Sequence, residues 1–203
     1  MTIQFSSQAI AALSATPLQV WQTITLGTYK GVEAYRDVMD SAGIKIRDSA
    51  NEILARPVFP YARVKTEVEL VLLSGAELGV ETESSLSDVY KRAKQVGLEL
   101  CPAEVGPQLR LHYRNQPLGE ALVYIAMEPI AAYGGDPTIL ALVNFGSGLE
   151  LMGVNWRPES MVLRSSRFVF VLPKGAVCRD WGRIFPAGKQ MPAEHFTDYS
   201  FVY

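Results

Sequence analysis

Two periods alternate in the hydrophobic pattern of the first hundred residues. Apolar and polar side chains alternate one by one in two segments, which predicts strands at 20–27 and 65–74. Elsewhere apolar side chains recur every three or four positions, which predicts helices at 30–42, 48–55 and 85–96. The N-terminal half therefore contributes both helices and strands.

The third predicted helix has the clearest ends. Ser85 and Asp88 have the spacing of a capping box, in which each side chain bonds to the backbone amide of the other residue. Gly97 follows the last apolar position of the helix and is a typical residue for its end.

The second half of the chain has a different character. Strand-like runs recur there, separated by turn-forming residues, at 108–114, 121–128, 138–145, 149–155 and 166–172. No helical period follows Gly97. This order predicts an α+β fold, with N-terminal helices packed on a mostly antiparallel sheet formed largely by the C-terminal half.

The same pattern suggests how the chain is divided. Residues 1–16 have no strong period and are interpreted as an N-terminal arm, and 17–172 as a single α+β domain. Residues 173–203 are rich in aromatic side chains near their end, and we expect them to pack on that domain as a tail.

Composition limits the class of protein. The chain has 203 residues, of which 48% are hydrophobic, and a net charge of -2, so it can fill a core and has no bulk attraction for anionic surfaces. The N-terminus has no basic residue before its short apolar run, so no signal peptide or membrane helix is expected. We therefore expect a cytoplasmic protein, with Cys101 and Cys178 as reduced thiols.

The segment 101–127 concentrates most of the candidate chemistry. If 108–114 is a strand, Arg110, His112 and Arg114 point to one face of it. Three basic groups there could bind a small anionic ligand, or act in acid–base chemistry with Glu104 or Glu120. Alternatively, they form a solvated strand face that pairs with acidic neighbours.

Glu104 lies between Pro102 and Pro107, in a loop that the two rings stiffen. Such a loop could present the carboxylate to a ligand at low entropic cost. It could equally be a connection in which the carboxylate binds nearby backbone amides or pairs with Arg110. Both interpretations stay open at this point.

Cys101 is a further candidate, as a nucleophile. That chemistry needs a base within hydrogen-bond reach, and the sequence has only His112 and His195 to offer. The alternative is a buried thiol at the end of a strand, which is a common place for a free cysteine.

Several classes of site have no pattern in this sequence. There is no phosphate-binding glycine loop, no nucleotide fingerprint and no metal-ligand spacing, so no cofactor and no metal are expected. Residues 157–189 hold seven basic residues against two acidic ones, with aromatic residues between them, which could suit a nucleic acid. Phe168 and Phe170 read as a core strand, however, and solvated loops explain the remaining charges, so a nucleic-acid partner is not expected.

Four segments together resemble a family of small bacterial proteins. They are "WQTITLG", "GLELCPAEVGPQLRLHYRNQPLGE", "IAMEPI" and "RFVFVLPK". The likeness spans roughly residues 21–172 and is most specific at 97–120. It implies a bacterial, cytoplasmic setting, and it carries no established activity, so it assigns no catalytic residue.

Two functions of different classes follow. The first is a non-enzymatic binding or interaction module whose partner is a protein or a small anionic ligand, with Glu104, Arg110, His112 and Arg114 as candidate contacts. The alternative is a small hydrolase or transferase that uses Glu104, His112 and a flanking arginine, with Cys101 as a weaker catalytic candidate.

Overall fold

The computed structural model describes residues 18–80 and 84–174. The predicted arm, 1–16, and nearly all of the predicted tail lie outside them, as does Cys178. The helices are α1 (Gly31–Ser41), α2 (Asp48–Leu54), α3 (Leu86–Gln95) and α4 (Val105–His112). The strands are β1 (Gln22–Leu26), β2 (Lys45–Ile46), β3 (Thr66–Ser74), β4 (Val123–Ile125), β5 (Ile130–Ala131), β6 (Pro137–Phe145), β7 (Gly148–Asn155) and β8 (Arg167–Leu172).

The fold is α+β, as predicted, but its sheet is mixed rather than mostly antiparallel. The strand order is β1-β3-β8-β4-β6-β7-β2, with β5 paired to β6 beside this path. β8 runs parallel to β4, and β2 runs parallel to β7. Parallel neighbours need a crossover connection, and the chain makes one by passing through β5, β6 and β7 before β8 reaches β4. The alternation of apolar and polar side chains predicts a strand, but it does not show whether the neighbouring strand runs parallel or antiparallel.

Most strands come from the C-terminal half, as predicted, and the N-terminal half supplies β1, β2 and β3. β3 lies inside the sheet between the edge strand β1 and β8, and its register places Val71 opposite Phe170 and Leu73 opposite Phe168. Both phenylalanines are fully buried, so the predicted core strand near the end of the domain is confirmed. The two-residue β2 was not predicted, because so short a segment has no period.

α3 forms as the sequence predicts. The Ser85 side chain accepts a hydrogen bond from the Asp88 amide, and the Asp88 carboxylate accepts one from the Ser85 amide, so the capping box is confirmed. Gly97 has a φ of 85°, which side chains rarely tolerate and which glycine adopts freely.

The prediction of a strand at 108–114 is wrong, since α4 occupies Val105–His112. Pro107 lies in the first turn of this helix, where a missing amide proton costs no hydrogen bond. The alternation of Leu109, Leu111 and Tyr113 resembles a strand, but a helix buried on most sides shows no polar stripe to reveal its period.

α4 lies on the concave side of the sheet. It contacts β1 at one end of the strand order and both β6 and β7 near the other end, so the sheet curves around it. Gly106 permits this packing, because a Cβ atom there would lie 2.6 Å from Cδ1 of Leu140 on β6. The candidate residues of 101–114 are therefore positioned by a helix in the core.

Candidate functional site

Glu104 lies directly before α4 and is completely buried. Its Oε1 atom accepts hydrogen bonds from the Tyr35 hydroxyl at 2.8 Å and from the Gly27 amide at 3.1 Å. Its Oε2 atom accepts one from the Ala62 amide at 2.7 Å. The carboxylate thus joins the end of β1, helix α1 and the chain after α2, and three donors replace the water that it loses on burial.

Aromatic side chains surround Tyr35, the side-chain donor to this carboxylate. The Tyr35 ring lies 5.2 Å from that of Tyr29 and 5.9 Å from that of Tyr61, between ring centroids. The Tyr35 hydroxyl also lies 3.1 Å from Oε1 of Gln108, and since it has one proton, the two acceptors compete for it. Burial, and then the nearby Glu104, raise the pKa of both Tyr35 and Tyr61 above the usual range, so these phenols stay protonated.

This pairing predicts a loss of stability at high pH. Above about pH 10 the tyrosines of the unfolded chain ionise while Tyr35 in the folded protein does not, so its contribution is complete below pH 10 and falls above it. Each such group lowers the free energy of unfolding by about 1.4 kcal/mol per pH unit in this range. We expect Tyr35→Phe to make unfolding free energy fall less steeply between about pH 10 and 11 than in the wild type, as measured by urea titration. An unchanged slope would contradict the assignment.

Arg110 has no exposed surface either, which corrects its placement on an open strand face. Its guanidinium donates to the Tyr113 carbonyl, to Oε1 of Gln116 at 2.5 Å and to the Val143 carbonyl at 3.4 Å. Burial lowers its pKa to about 10, so it remains charged at neutral pH. Among the described residues no carboxylate forms an ion pair with it, and its Nε atom has no hydrogen-bond partner.

His112 and Arg114 are exposed at the opposite end of α4 from Glu104. A helix rises 1.5 Å per residue, so Glu104 and His112 are separated by about 12 Å along its axis. Arg114 donates to the Leu111 carbonyl at 3.1 Å. The structure therefore does not bring together the carboxylate, the histidine and an arginine that the predicted catalytic site requires.

Cys101 is a buried thiol that donates to the Val169 carbonyl, with 3.3 Å between sulfur and oxygen. Burial raises the pKa of this thiol well above its usual value. Because the thiolate is the nucleophilic form, this environment disfavours covalent catalysis by Cys101. The packing interpretation fits the geometry.

Glu120, the other acidic candidate, is also engaged. It accepts a hydrogen bond from the Tyr113 hydroxyl at 3.1 Å and forms an ion pair with Arg167. The ring of Tyr113 in turn meets that of Trp21 edge-on, 4.9 Å between centroids. This cluster ties the C-terminal end of α4 to the start of β8.

Residues 55–65 form a loop that Glu104 holds in place, here called the anchored loop. Phe59 packs into the core, and the Tyr61 hydroxyl donates to the Leu54 carbonyl at 2.8 Å. The Val64 carbonyl lies against Gly27, where a Cβ atom would approach it to 2.6 Å. Together with the bond from Ala62 to Glu104, these contacts hold the loop along most of its length.

The outer side of the anchored loop is basic and apolar. Arg63 and Lys65 are exposed, and Val58 and Val64 expose 69% and 74% of their surface. Within the described part of the chain, Arg63 and Lys65 make no ion pair. The sequence offered no signal that Glu104 and this loop belong together, because Glu104 and Ala62 are 42 positions apart.

Two depressions in the described part of the chain, of about 450 and 400 Å³, are open to solvent and lie at the 134–137 turn and at the end of α3. Residues 18–80 and 84–174 contain no group of three potential metal ligands, and none of their helices is long and apolar enough to cross a membrane.

Comparison of the chain with protein-family models, with curated proteins and with solved structures finds no match.

Proposed function

We propose that the protein is a non-enzymatic interaction module that binds an acidic protein segment through the anchored loop. The observation that carries this proposal is that Glu104 holds the anchored loop in place. Its carboxylate is wholly buried and accepts a hydrogen bond from the Ala62 amide, so it positions a loop whose outer side is basic. A bacterial, cytoplasmic setting is part of the proposal and rests on the sequence resemblance.

Charge supports an acidic partner. The anchored loop contains Arg56, Arg63 and Lys65 and no acidic residue. Arg56 is already engaged, since its guanidinium carbon lies 4.6 Å from the centre of the Tyr133 ring. Arg63 and Lys65 are available to a carboxylate from outside, and a held loop loses little conformational entropy when it binds.

The exposed apolar groups favour a protein over a nucleic acid. Val64 lies between Arg63 and Lys65 in the chain, and both Val64 and Val58 of the same loop offer aliphatic surface. Single-stranded nucleic acids are usually bound by exposed aromatic rings on which bases stack, whereas Phe59 is buried and Tyr61 is half-buried. An acidic peptide that also carries aliphatic side chains fits both features of the loop.

The three basic residues of 110–114 lie outside the anchored loop. His112 and Arg114 are exposed and remain candidate contacts for an anionic ligand at the far end of α4. Arg110 is buried, and its hydrogen bond to Gln116 holds the chain that follows α4, as Glu104 holds the anchored loop.

Charge reversal tests the proposal. We expect a fluorescein-labelled peptide of glutamate, aspartate and leucine to bind the wild type at low salt, measured by fluorescence anisotropy. The double substitution Arg63→Glu and Lys65→Glu should weaken binding at least about tenfold, which corresponds to about 1.4 kcal/mol. The matched control is Lys91→Glu with Lys94→Glu, which makes the same charge change on exposed positions of α3 and should weaken binding by no more than about twofold.

Three results would contradict the proposal. They are the absence of binding to the acidic peptide, an equal loss in the two double variants, and tighter binding of a single-stranded oligonucleotide than of the peptide. The last result would indicate a nucleic-acid partner instead.

A further inference from the structure

The two edges of the sheet are protected to different degrees. β2, at one edge, has two residues, and it includes Lys45 and is followed by Arg47, which pairs with Glu150. β1, at the other edge, has the sequence QTITL, with no charge and no proline. Charged residues, prolines and short length are the usual means by which proteins prevent an edge strand from pairing with another chain. Among the described residues, β1 pairs with β3 alone.

The backbone groups that β1 directs outward can be assigned. The Leu70 carbonyl on β3 accepts a hydrogen bond from Trp21 and therefore faces β1, and Gln22 is the residue opposite Leu70. Directions alternate along an antiparallel pair, so Gln22, Ile24 and Leu26 face β3 while Thr23 and Thr25 face the open edge. The Thr25 carbonyl accordingly accepts a local hydrogen bond from the Thr28 hydroxyl at 3.0 Å.

We propose that a second copy of this chain pairs with β1 in antiparallel fashion, about a two-fold axis through Ile24. This register places Thr23 opposite the Thr25 of the other copy, and the outward-facing amides and carbonyls of these two residues are those that a hydrogen-bonded pair exchanges. The strand is nearly symmetric about Ile24, with a threonine on each side, and contains no like charges that would repel across the axis. The two sheets become one continuous sheet.

The edge also suits a second copy by its side chains. Thr23 is exposed and Thr25 half-buried, and cross-strand threonine pairs are favourable. Val20, directly before the strand, exposes 43% of its surface and extends the apolar part of the edge. Glu67 and Glu69 on β3 lie opposite Thr25 and Thr23 within the same chain, so the acidic groups are one strand away from the axis.

Two double variants that share one substitution test this register. Thr23→Lys with Thr25→Lys places lysines opposite each other across the axis, while each lysine still has Glu69 or Glu67 beside it in its own chain. Thr23→Lys with Thr25→Glu places each lysine opposite a glutamate of the other copy. Light scattering after size exclusion, over a range of concentrations of the full chain, should give twice the 22.4 kDa chain mass for the wild type and for the Lys/Glu variant. The Lys/Lys variant should give the mass of one chain.

Each other outcome overturns the proposal. A wild type that stays monomeric at every concentration means that the edge has another occupant, such as a different protein or a terminal segment of this chain. A dimeric Lys/Lys variant places the interface elsewhere. Two monomeric variants beside a dimeric wild type exclude the register through Ile24. Circular dichroism checks that both variants are folded, and none of these results depends on whether the anchored loop binds an acidic peptide.

Discussion

Glu104→Gln is expected to lower the free energy of unfolding by about 3 kcal/mol, because it replaces charge-assisted hydrogen bonds at a fully buried position. The amide keeps the shape of the side chain but has only one oxygen. Its amino group must face at least one of the donors Gly27, Tyr35 and Ala62, so that donor loses its acceptor. Urea denaturation followed by circular dichroism measures the change.

Glu128→Gln is the matched control, since Glu128 is exposed and the chemical change is identical. We expect it to alter stability by less than about 0.5 kcal/mol. The anchored loop should also respond to the first substitution, so acidic-peptide binding should weaken even in conditions where Glu104→Gln remains folded. A variant as stable as the wild type would show that the buried carboxylate does not hold the loop.

Arg110→Ala is expected to lower the free energy of unfolding by about 4 kcal/mol, more than any other single substitution proposed here. The change removes a large buried side chain and leaves the Tyr113 and Val143 carbonyls and the Gln116 side chain without their donor. Arg110→Met should lower the free energy of unfolding by about 2 kcal/mol less than Arg110→Ala does. Methionine fills most of the volume, and it does not bury a charge that would otherwise be solvated by water. Thermal and urea unfolding measure both variants.

Arg114→Ala provides the comparison, four residues farther along the chain and exposed. Its expected effect is within about 0.5 kcal/mol of zero. If Arg110→Ala and Arg114→Ala lowered the free energy of unfolding equally, that would be inconsistent with a buried Arg110. If Arg110→Met were as destabilising as Arg110→Ala, the hydrogen bonds rather than the filled volume would account for the effect.

Local signals in the sequence are enough where an element is amphipathic and has clear ends. α3 was predicted at 85–96 and occupies Leu86–Gln95, because one face is apolar and the capping box and Gly97 mark its limits. β3 and β6 were predicted within a residue of their bounds, since their apolar runs are long and end at turn-forming residues.

The same signals fail where the surroundings of a segment are unusual. α4 is enclosed by a curved sheet, so even its arginine is buried, and its pattern of apolar residues does not separate a helix from a strand. Once the segment is placed as a helix, the three basic groups no longer share a face. The predicted site was built on that shared face, and its geometry fails with it.

The sequence by itself determined the α+β class and the position of most strands and helices, and it singled out Glu104 as a candidate residue. These follow from side-chain periodicity and from turn and cap residues, which act over a few positions. Only the tertiary structure decided the mixed direction of the sheet, the burial of Arg110 and the partners of Glu104. Those depend on contacts across 33 to 77 positions, as between Arg110 and Val143 and between Glu104 and Gly27, and no local preference of the chain encodes which distant amide will meet a carboxylate.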